Sequence, residues 1–301
     1  MDSKAMRKRI LITGASGFTG KHAVVHFMKK DYEVTAAMRK EMSCEGASVV
    51  SCDLENEDQV MKLVEDANPH YILHLAGQNH VGSSWEQPLS YVNSNVIGTL
   101  HLLEAVRKKV PTARIVVAGS ALQYNPSDSS TLTHPYSFSK TMQILVSEAW
   151  AKLYNLDVVI AKPSNLIGPG HSNGVCSIFA KKIAAMEKGD EKKELHISNL
   201  EARRNFIDVR DAVAAYEHLF LFGQRKAVYE IASSVCYSLK EVASMLRTLA
   251  HVDFQITNDE ANSEPFLIPD TSPLQLIGWK PNYSLEKSLL DILTFHRQTK
   301  D

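Results

Sequence analysis

Short apolar runs alternate along this chain with longer stretches whose apolar residues recur at helical spacing. Residues 9–13 (Arg-Ile-Leu-Ile-Thr) read as a buried strand. The strand runs into Gly14-Ala15-Ser16-Gly17-Phe18-Thr19-Gly20 and a helix over 21–30. Strands are predicted at 33–38 and 48–50, a helix at 57–67 and a strand at 71–75. One long helix is expected over 88–109, with Leu89, Val96, Leu100, Leu103 and Val106 at helical spacing. A strand at 114–119, a helix opened by Pro135 and a strand at 157–161 complete the pattern. Such alternation implies an α/β fold with a doubly wound parallel sheet and ligands at the carboxyl ends of its strands.

Past Lys162-Pro163 the strict alternation stops. Helices are predicted at 174–189, 211–222, 238–249 and 284–297, and strands at 194–197 and 227–231. Ile178, Phe179, Ile183 and Met186 are expected to face inward on the first of these helices. Leu285, Leu289, Ile292 and Leu293 form the core stripe of the last. The expected organisation is a Rossmann-like domain from 1–164 plus about 206–234. A smaller C-terminal α/β substrate domain takes about 165–205 plus 235–301.

Composition narrows the function. The 301 residues are 44% hydrophobic and 22% charged, an ordinary globular balance. A formal charge of −1 argues against a general nucleic-acid binder, which needs a cationic surface. The basic start, 1–9, is followed by an apolar run that breaks at Thr13-Gly14, so neither a signal peptide nor a membrane span is expected. Cys44, Cys52, Cys176 and Cys236 show no paired spacing, and reduced thiols in a cytoplasmic protein are the plain reading.

Candidate chemistry gathers in three places. Strand, glycine turn and helix form the context in which Gly14, Gly17 and Gly20 mean dinucleotide binding. The glycines let the backbone approach a pyrophosphate seated on the helix N-terminus. Arg39-Lys40 ends the second strand where NAD binders place an acid; an arginine there suits the 2′-phosphate of NADP, or the pair is a solvated loop. Asp53 could reach the adenine. His70 and His74, four apart on a strand, lie too far from each other to share a metal unaided.

The third place is Tyr136-Ser137-Phe138-Ser139-Lys140, with Ser120 upstream at the end of an apolar run. On a helix Tyr136 and Lys140 share a face, one turn apart. A cation there is expected to lower the phenol pKa and make proton transfer feasible near neutrality. Lys181, Lys182, Lys192 and Lys193 are either solvated or partly committed to a diphosphate. His171 reads as a satisfied loop histidine.

In this order, residues 13–20, Asp53-Leu54, Ser120, Tyr136 and Lys140 resemble the extended short-chain dehydrogenase/reductase superfamily. The nearest part is its NAD-dependent epimerase/dehydratase group of nucleotide-sugar enzymes. The segment 74–88, Asn95-Val96-Ile97-Gly98-Thr99, the Asn165–Gly170 loop, the stretch 199–211 and Gly278-Trp279-Lys280-Pro281 carry the likeness over nearly the whole chain. Within the group the segments look most like GDP-6-deoxy-4-keto-mannose reductases, which form GDP-D-rhamnose, and next GDP-mannose 4,6-dehydratases.

The resemblance implies Ser120, Tyr136 and Lys140 as catalytic residues. It implies a cofactor site of Gly14, Ser16, Gly17, Phe18, Thr19, Gly20, Arg39, Asp53, Leu54, Leu75, Ala76, Gly77, Tyr136, Lys140 and Pro163, with NADP(H) favoured over NAD(H). Substrate residues would be Ser84, Ser120, Asn165, Val175, Lys181 and Arg204, and no metal is called for. Dehydratases carry a carboxylate two residues after the catalytic hydroxyl. Leu122 stands there and cannot abstract a proton. The relatives' arginine near 263–265 is absent as well.

The implied reaction is NADPH-dependent reduction of the 4-keto group of a nucleotide-linked 4-keto-6-deoxyhexose, in deoxysugar biosynthesis. The alternatives are a 4-epimerase with tightly bound NAD and a non-catalytic NADP-binding regulator. A homodimer through helices 88–109 and 137–153 is expected by analogy.

Overall fold

The computed structural model describes residues 7–39, 44, 46–259, 266 and 268–299; Lys40 and residues 263–265 lie outside that set. In chain order the first half comprises β1 (Arg9–Thr13), α1 (Phe18–Lys29), β2 (Glu33–Met38), β3 (Ser48–Ser51), α2 (Glu57–Ala67) and β4 (Tyr71–His74). It continues with α3 (Val81–Glu86), α4 (Pro88–Val92), α5 (Gly98–Lys109), β5 (Arg114–Ala118), α6 (Pro135–Leu153) and β6 (Asp157–Pro163). The remainder is β7 (Asn165–Ile167), α7 (Val175–Lys188), β8 (Glu194–Ile197), β9 (Arg203–Asp208), α8 (Val209–Phe222) and β10 (Val228–Ile231). The chain ends with β11 (Cys236–Ser238), α9 (Leu239–Leu249), β12 (Gln255–Asn258), α10 (Ser272–Leu276) and α11 (Leu285–Gln298).

Seven strands form one sheet in the order β10-β6-β5-β4-β1-β2-β3. The pairings of β1 with β2 and β4, of β2 with β3, and of β5 with β4 and β6 are parallel. Chain order reverses between β1 and β4, whose last residues Thr13 and His74 lie in register. Ligands of doubly wound sheets bind beyond such a switch point. Ile10, Leu11 and Ile12 are wholly buried, which is why β1 reads as a continuous apolar run. Leu11, Ile72, Ile115 and Val117 meet Leu63, Leu102 and Val106 of the covering helices in one core.

Cα packing divides the chain into two compact units. One runs up to Lys162 and includes Val213–Tyr229; the other is Pro163–Ala212 with Glu230 onward. The expected return at 206 therefore comes later in the chain. The reason is β9, which pairs with β7 and β11 in a three-stranded sheet of the second unit and carries residues 203–208 with it. A second core gathers Phe179, Ile183, Leu195, Phe206, Leu246, Leu289 and Leu293. α9 opens on a capping box, Ser238 with Glu241, and α7 closes on Gly189 at φ 85°.

Three expectations need correction. The helix over 88–109 is interrupted by a π turn at Asn93–Ile97, and Leu89 is 76% exposed. The six-residue α3 before it was not expected; it is capped by the His80 ring, which accepts from Ser83 N. On α7 the inward ridge is Cys176, Phe179, Ala180 and Ile183, spaced three and four apart, and Ile178 falls off it to 54% exposure.

Candidate active site

The turn between β1 and α1 is a backbone cradle. Gly14 adopts φ +70°, and a Cβ there would stand 2.7 Å from Ala76 N. A Cβ on Gly20 would collide with Gly14 O and Ala15. Gly17 N donates to Gly14 O at 3.0 Å and closes the turn. Gly17 is also the N-cap of α1 and has no side chain to satisfy the first amides. The first turn, Phe18-Thr19-Gly20-Lys21, carries no acidic residue to neutralise the positive helix end. Ser16 lies in the turn itself. This surface suits the pyrophosphate of a dinucleotide.

The neighbouring loops bound the cradle. Leu75 N donates to Thr13 O, Ala76 N donates to Thr13 Oγ1, and Gly77 at φ +155° leaves room for the Asn95 carboxamide. Asn95 is wholly buried; its Oδ1 accepts from Gln78 N at 2.7 Å, and its Nδ2 donates to Gln78 O and Ser139 Oγ. The π turn carries this asparagine, whose place beside the site no local spacing announces. Arg39 is exposed just after β2, and Ser51 donates to its carbonyl. Asp53 is exposed and accepts from Glu55 N, while Leu54 packs beside Gly98.

Ser120 stands beside Tyr136, and Lys140 follows one turn on along α6. Pro135 at the first position and His134 as N-cap start α6, so Tyr136 lies in its first turn and Lys140 one turn on. Tyr136 is 6% exposed, Ser120 8% and Lys140 7%. Ser120 Oγ accepts from Leu122 N at 3.0 Å and stands close enough to the Tyr136 phenol to favour its charged form. Leu122 itself is half exposed. The Tyr91 ring packs edge-on against Tyr136, and the His134 ring lies parallel to it.

The expected lowering of the tyrosine pKa is not what the fold does. Burial raises the Tyr136 phenol above its ordinary value, the Ser120 hydrogen bond pulls it back, and Tyr91 adds to the rise. Lys140 instead bears the large shift: burial takes its ammonium from 10.5 to about 7. The ammonium donates to Ala118 O at 2.8 Å, the end of β5, and to Gln143 Oε1 in a very short contact.

Other expected residues are spent differently. Ser84 is wholly buried, and its hydroxyl donates to Val81 O at 2.6 Å. His70 Nδ1 accepts from Arg9 N, whereas the buried His74 lies between Thr13 and Thr99, which separates the two rings chemically. In the second unit Pro163 ends β6, and the next residue, Ser164, donates to Asn205 Oδ1. Asn165 Nδ2 donates to Asn205 O at 2.9 Å, and Arg204 Nη1 to Arg203 O at 2.9 Å. Val175 opens α7 and Lys181 is exposed along it. His171 is exposed and meets the Phe295 ring edge-on.

Among the described residues no helix is long and apolar enough to cross a membrane. Comparison with known proteins places this geometry. The chain is 27% identical over 312 residues to GDP-6-deoxy-D-mannose reductase of Pseudomonas aeruginosa, covering 96% of this chain and 97% of that one. The solved structure of RMD from Pseudomonas aeruginosa complexed with NADPH superposes at a TM-score of 0.82 with 25% identity, over 97% of this chain and 100% of that one. UDP-glucose 4-epimerase of Thermotoga maritima shares the fold at a TM-score of 0.82 and 23% identity, over 96% and 98% of the two chains. The model of the NAD dependent epimerase/dehydratase family matches residues 10–232. With its glycine cradle, parallel sheet and Ser–Tyr–Lys set, the chain belongs to that family and is an oxidoreductase of the extended short-chain dehydrogenase/reductase type.

Proposed function

We propose that the protein reduces the 4-keto group of a nucleotide-linked 4-keto-6-deoxyhexose, of the GDP-4-keto-6-deoxymannose type, with NADPH. The observation that carries this is the buried Tyr136 phenol beside Ser120, with Lys140 one turn along the same helix. The cradle of Gly14, Gly17 and Gly20 fits the dinucleotide, with Asp53 toward its adenine and Arg39 toward a 2′-phosphate. Bound there, the dinucleotide is the source of hydride. Tyr136 gives its proton to the sugar oxygen as negative charge builds on it. Ser120, whose oxygen already accepts from Leu122 N, has its own proton to donate to the same oxygen.

Lys140 uses two of its three N–H bonds on Ala118 O and Gln143, which leaves one to stabilise the phenolate. In the second unit we assign the nucleotide diphosphate to Arg204 and Asn165, with Val175 and Lys181 beside the substrate. Leu122 carries no proton-abstracting group, which favours reduction over 4,6-dehydration. The exposed apolar residues Trp85, Leu89, Phe138, Leu145 and Leu153 along α3–α6 support a homodimer through these helices. Light scattering giving a monomer at working concentration ends the dimer assignment.

The test is NADPH oxidation with GDP-4-keto-6-deoxymannose against keto sugars on UDP, dTDP and CDP carriers. Stoichiometric NADPH loss with the GDP sugar is the expected result. Protein that purifies with tightly held NAD and interconverts C4 configurations without net NADPH loss is an epimerase. Protein that binds NADP yet turns over nothing in the panel is a regulator.

A further inference from the structure

Lys140 sits on a buried polar chain that the mechanism so far leaves unused. Its ammonium reaches Gln143 Oε1, three residues on and on the same helical face. Gln143 is wholly buried, and its Nε2 donates to Thr99 Oγ1 at 3.0 Å. Thr99 donates to Asn95 O at 2.7 Å, so its oxygen can only accept from its other neighbours. His74 Nε2, 2.8 Å from that oxygen, must then carry the proton. His74 Nδ1 is left as acceptor for Thr13 Oγ1 at 2.8 Å, and Thr13 Oγ1 accepts from Ala76 N at 3.3 Å. Because an ammonium can only donate, the Gln143 carboxamide has one orientation, oxygen toward Lys140, and its nitrogen also lies 3.4 Å from His74 Nε2.

We propose that Gln143 is a positioning residue: its oxygen fixes the Lys140 ammonium against the end of β5, while its nitrogen is anchored on Thr99. A shorter side chain would not span Lys140 and Thr99 together, and an apolar one would leave Lys140 with Ala118 O alone. The groups around Lys140 are few. β5 presents the Ala118 carbonyl and α5 presents Thr99 through Gln143. β4 presents His74, which burial and Lys140 hold down at about 3, so it stays neutral. Tyr136 lies one turn back on α6. Among the described residues no carboxylate pairs with this lysine, so neutral oxygens alone hold the charge. A hydrogen bond to the charged form favours that form, and Gln143 thereby keeps Lys140 protonated further into the neutral range than burial alone would allow.

The proposal rests on the reductase reading only for the role of Lys140 in turnover, so its test reads the lysine directly. Nitrogen NMR follows the Lys140 Nζ titration in the intact protein, assigned by its disappearance in Lys140→Met. Gln143→Leu is expected to move that titration toward acid by about one pH unit, the worth of one hydrogen bond to a charged group. Gln143→Glu, nearly isosteric, is expected to move it toward alkali by at least as much, and the alkaline limb of NADPH oxidation should follow in both variants. Should Gln143→Leu fail to fold, Gln143→Glu alone decides. A Lys140 titration unchanged in folded Gln143→Glu, or moved in the same direction by both variants, overturns the proposal. Shifted titrations in a protein that reduces no keto sugar uphold it and discard the reductase reading instead.

Discussion

Two cations, the buried Lys140 of the first unit and the half-buried Arg210 of the second, sit in surroundings that treat charge in opposite ways. In the second unit Arg210 reaches Asp208 at 2.7 Å and Asp291 at 2.8 Å, and it lies 3.8 Å over the Tyr283 ring. Asp208 also accepts from Ser288 at 2.6 Å, so β9 and α11 are tied through one carboxylate. The hydrogen bond to Asp208 holds the guanidinium above its ordinary value. Among the described residues Lys140 meets a carbonyl and a carboxamide and no carboxylate, and burial brings it to about 7. A paired cation keeps its proton and stabilises the unit. One held by neutral acceptors is poised to titrate, and such poise is typical of acid–base machinery.

The sharpest way to break this contrast is to test each cluster for the other's role. Tyr136→Phe keeps the ring and removes the proton, so NADPH oxidation should fall by about a thousandfold, within the usual range for losing a positioned acid. NADPH affinity, read by fluorescence titration, should stay nearly unchanged. Turnover at the wild-type rate would remove Tyr136 from the mechanism. Asp208→Ala should do the reverse: leaving Arg210 and Ser288 short of their shared partner costs about 3 kcal/mol of unfolding free energy. Urea denaturation with a wild-type midpoint would mean that the cluster does not hold β9 to α11. Smaller again is Arg39→Glu, which should weaken NADPH relative to NADH by about tenfold if the guanidinium meets the 2′-phosphate as a charge-assisted pair. An unaltered ratio would leave Arg39 a solvated loop residue.

The same two clusters separate what local sequence can disclose from what it cannot. β1, β2, β8 and α2 occupy their predicted residues because burial imposes the spacing that was read. Gly14, Gly20, Tyr136 and Lys140 were legible because each motif lies within a single turn or helix. Gln143 was not, although it stands on the same face as Lys140. Its meaning depends on Ala118 and Thr99, which the sheet and α5 bring to it from elsewhere. The direction of the Tyr136 shift is hidden from the sequence for the same reason: spacing gives the neighbouring lysine but not the depth of burial, which dominates. The π turn at Asn93–Ile97 also escaped, because Asn95 is turned inward by the loop at Gly77-Gln78, which periodicity does not see.

Lys140 also makes a prediction about stability, smaller per step than the others. Its ordinary value of 10.5 applies to the unfolded chain and about 7 to the folded one. Between these values the unfolded chain carries the proton and the native protein does not, so raising the pH favours the native state. Below the lower value both states carry it and the full penalty of burying the ammonium is present; above the upper value neither does, and the penalty is gone. The slope in between is about 1.4 kcal/mol per pH unit for one proton. Cys52 and Cys176, whose thiols burial raises to about 11 and about 12, pull the other way at high pH but act in every variant alike. The difference between wild type and Lys140→Met therefore isolates the lysine. Urea midpoints compared across the neutral to mildly alkaline range should converge as pH rises, with Lys140→Met the more stable at the acid end. The same comparison for Arg210, whose shift is upward and whose proton never leaves in that range, should give parallel lines. Parallel lines for Lys140 as well would mean that its ammonium is satisfied as fully as the arginine, and the contrast between the two units would be gone.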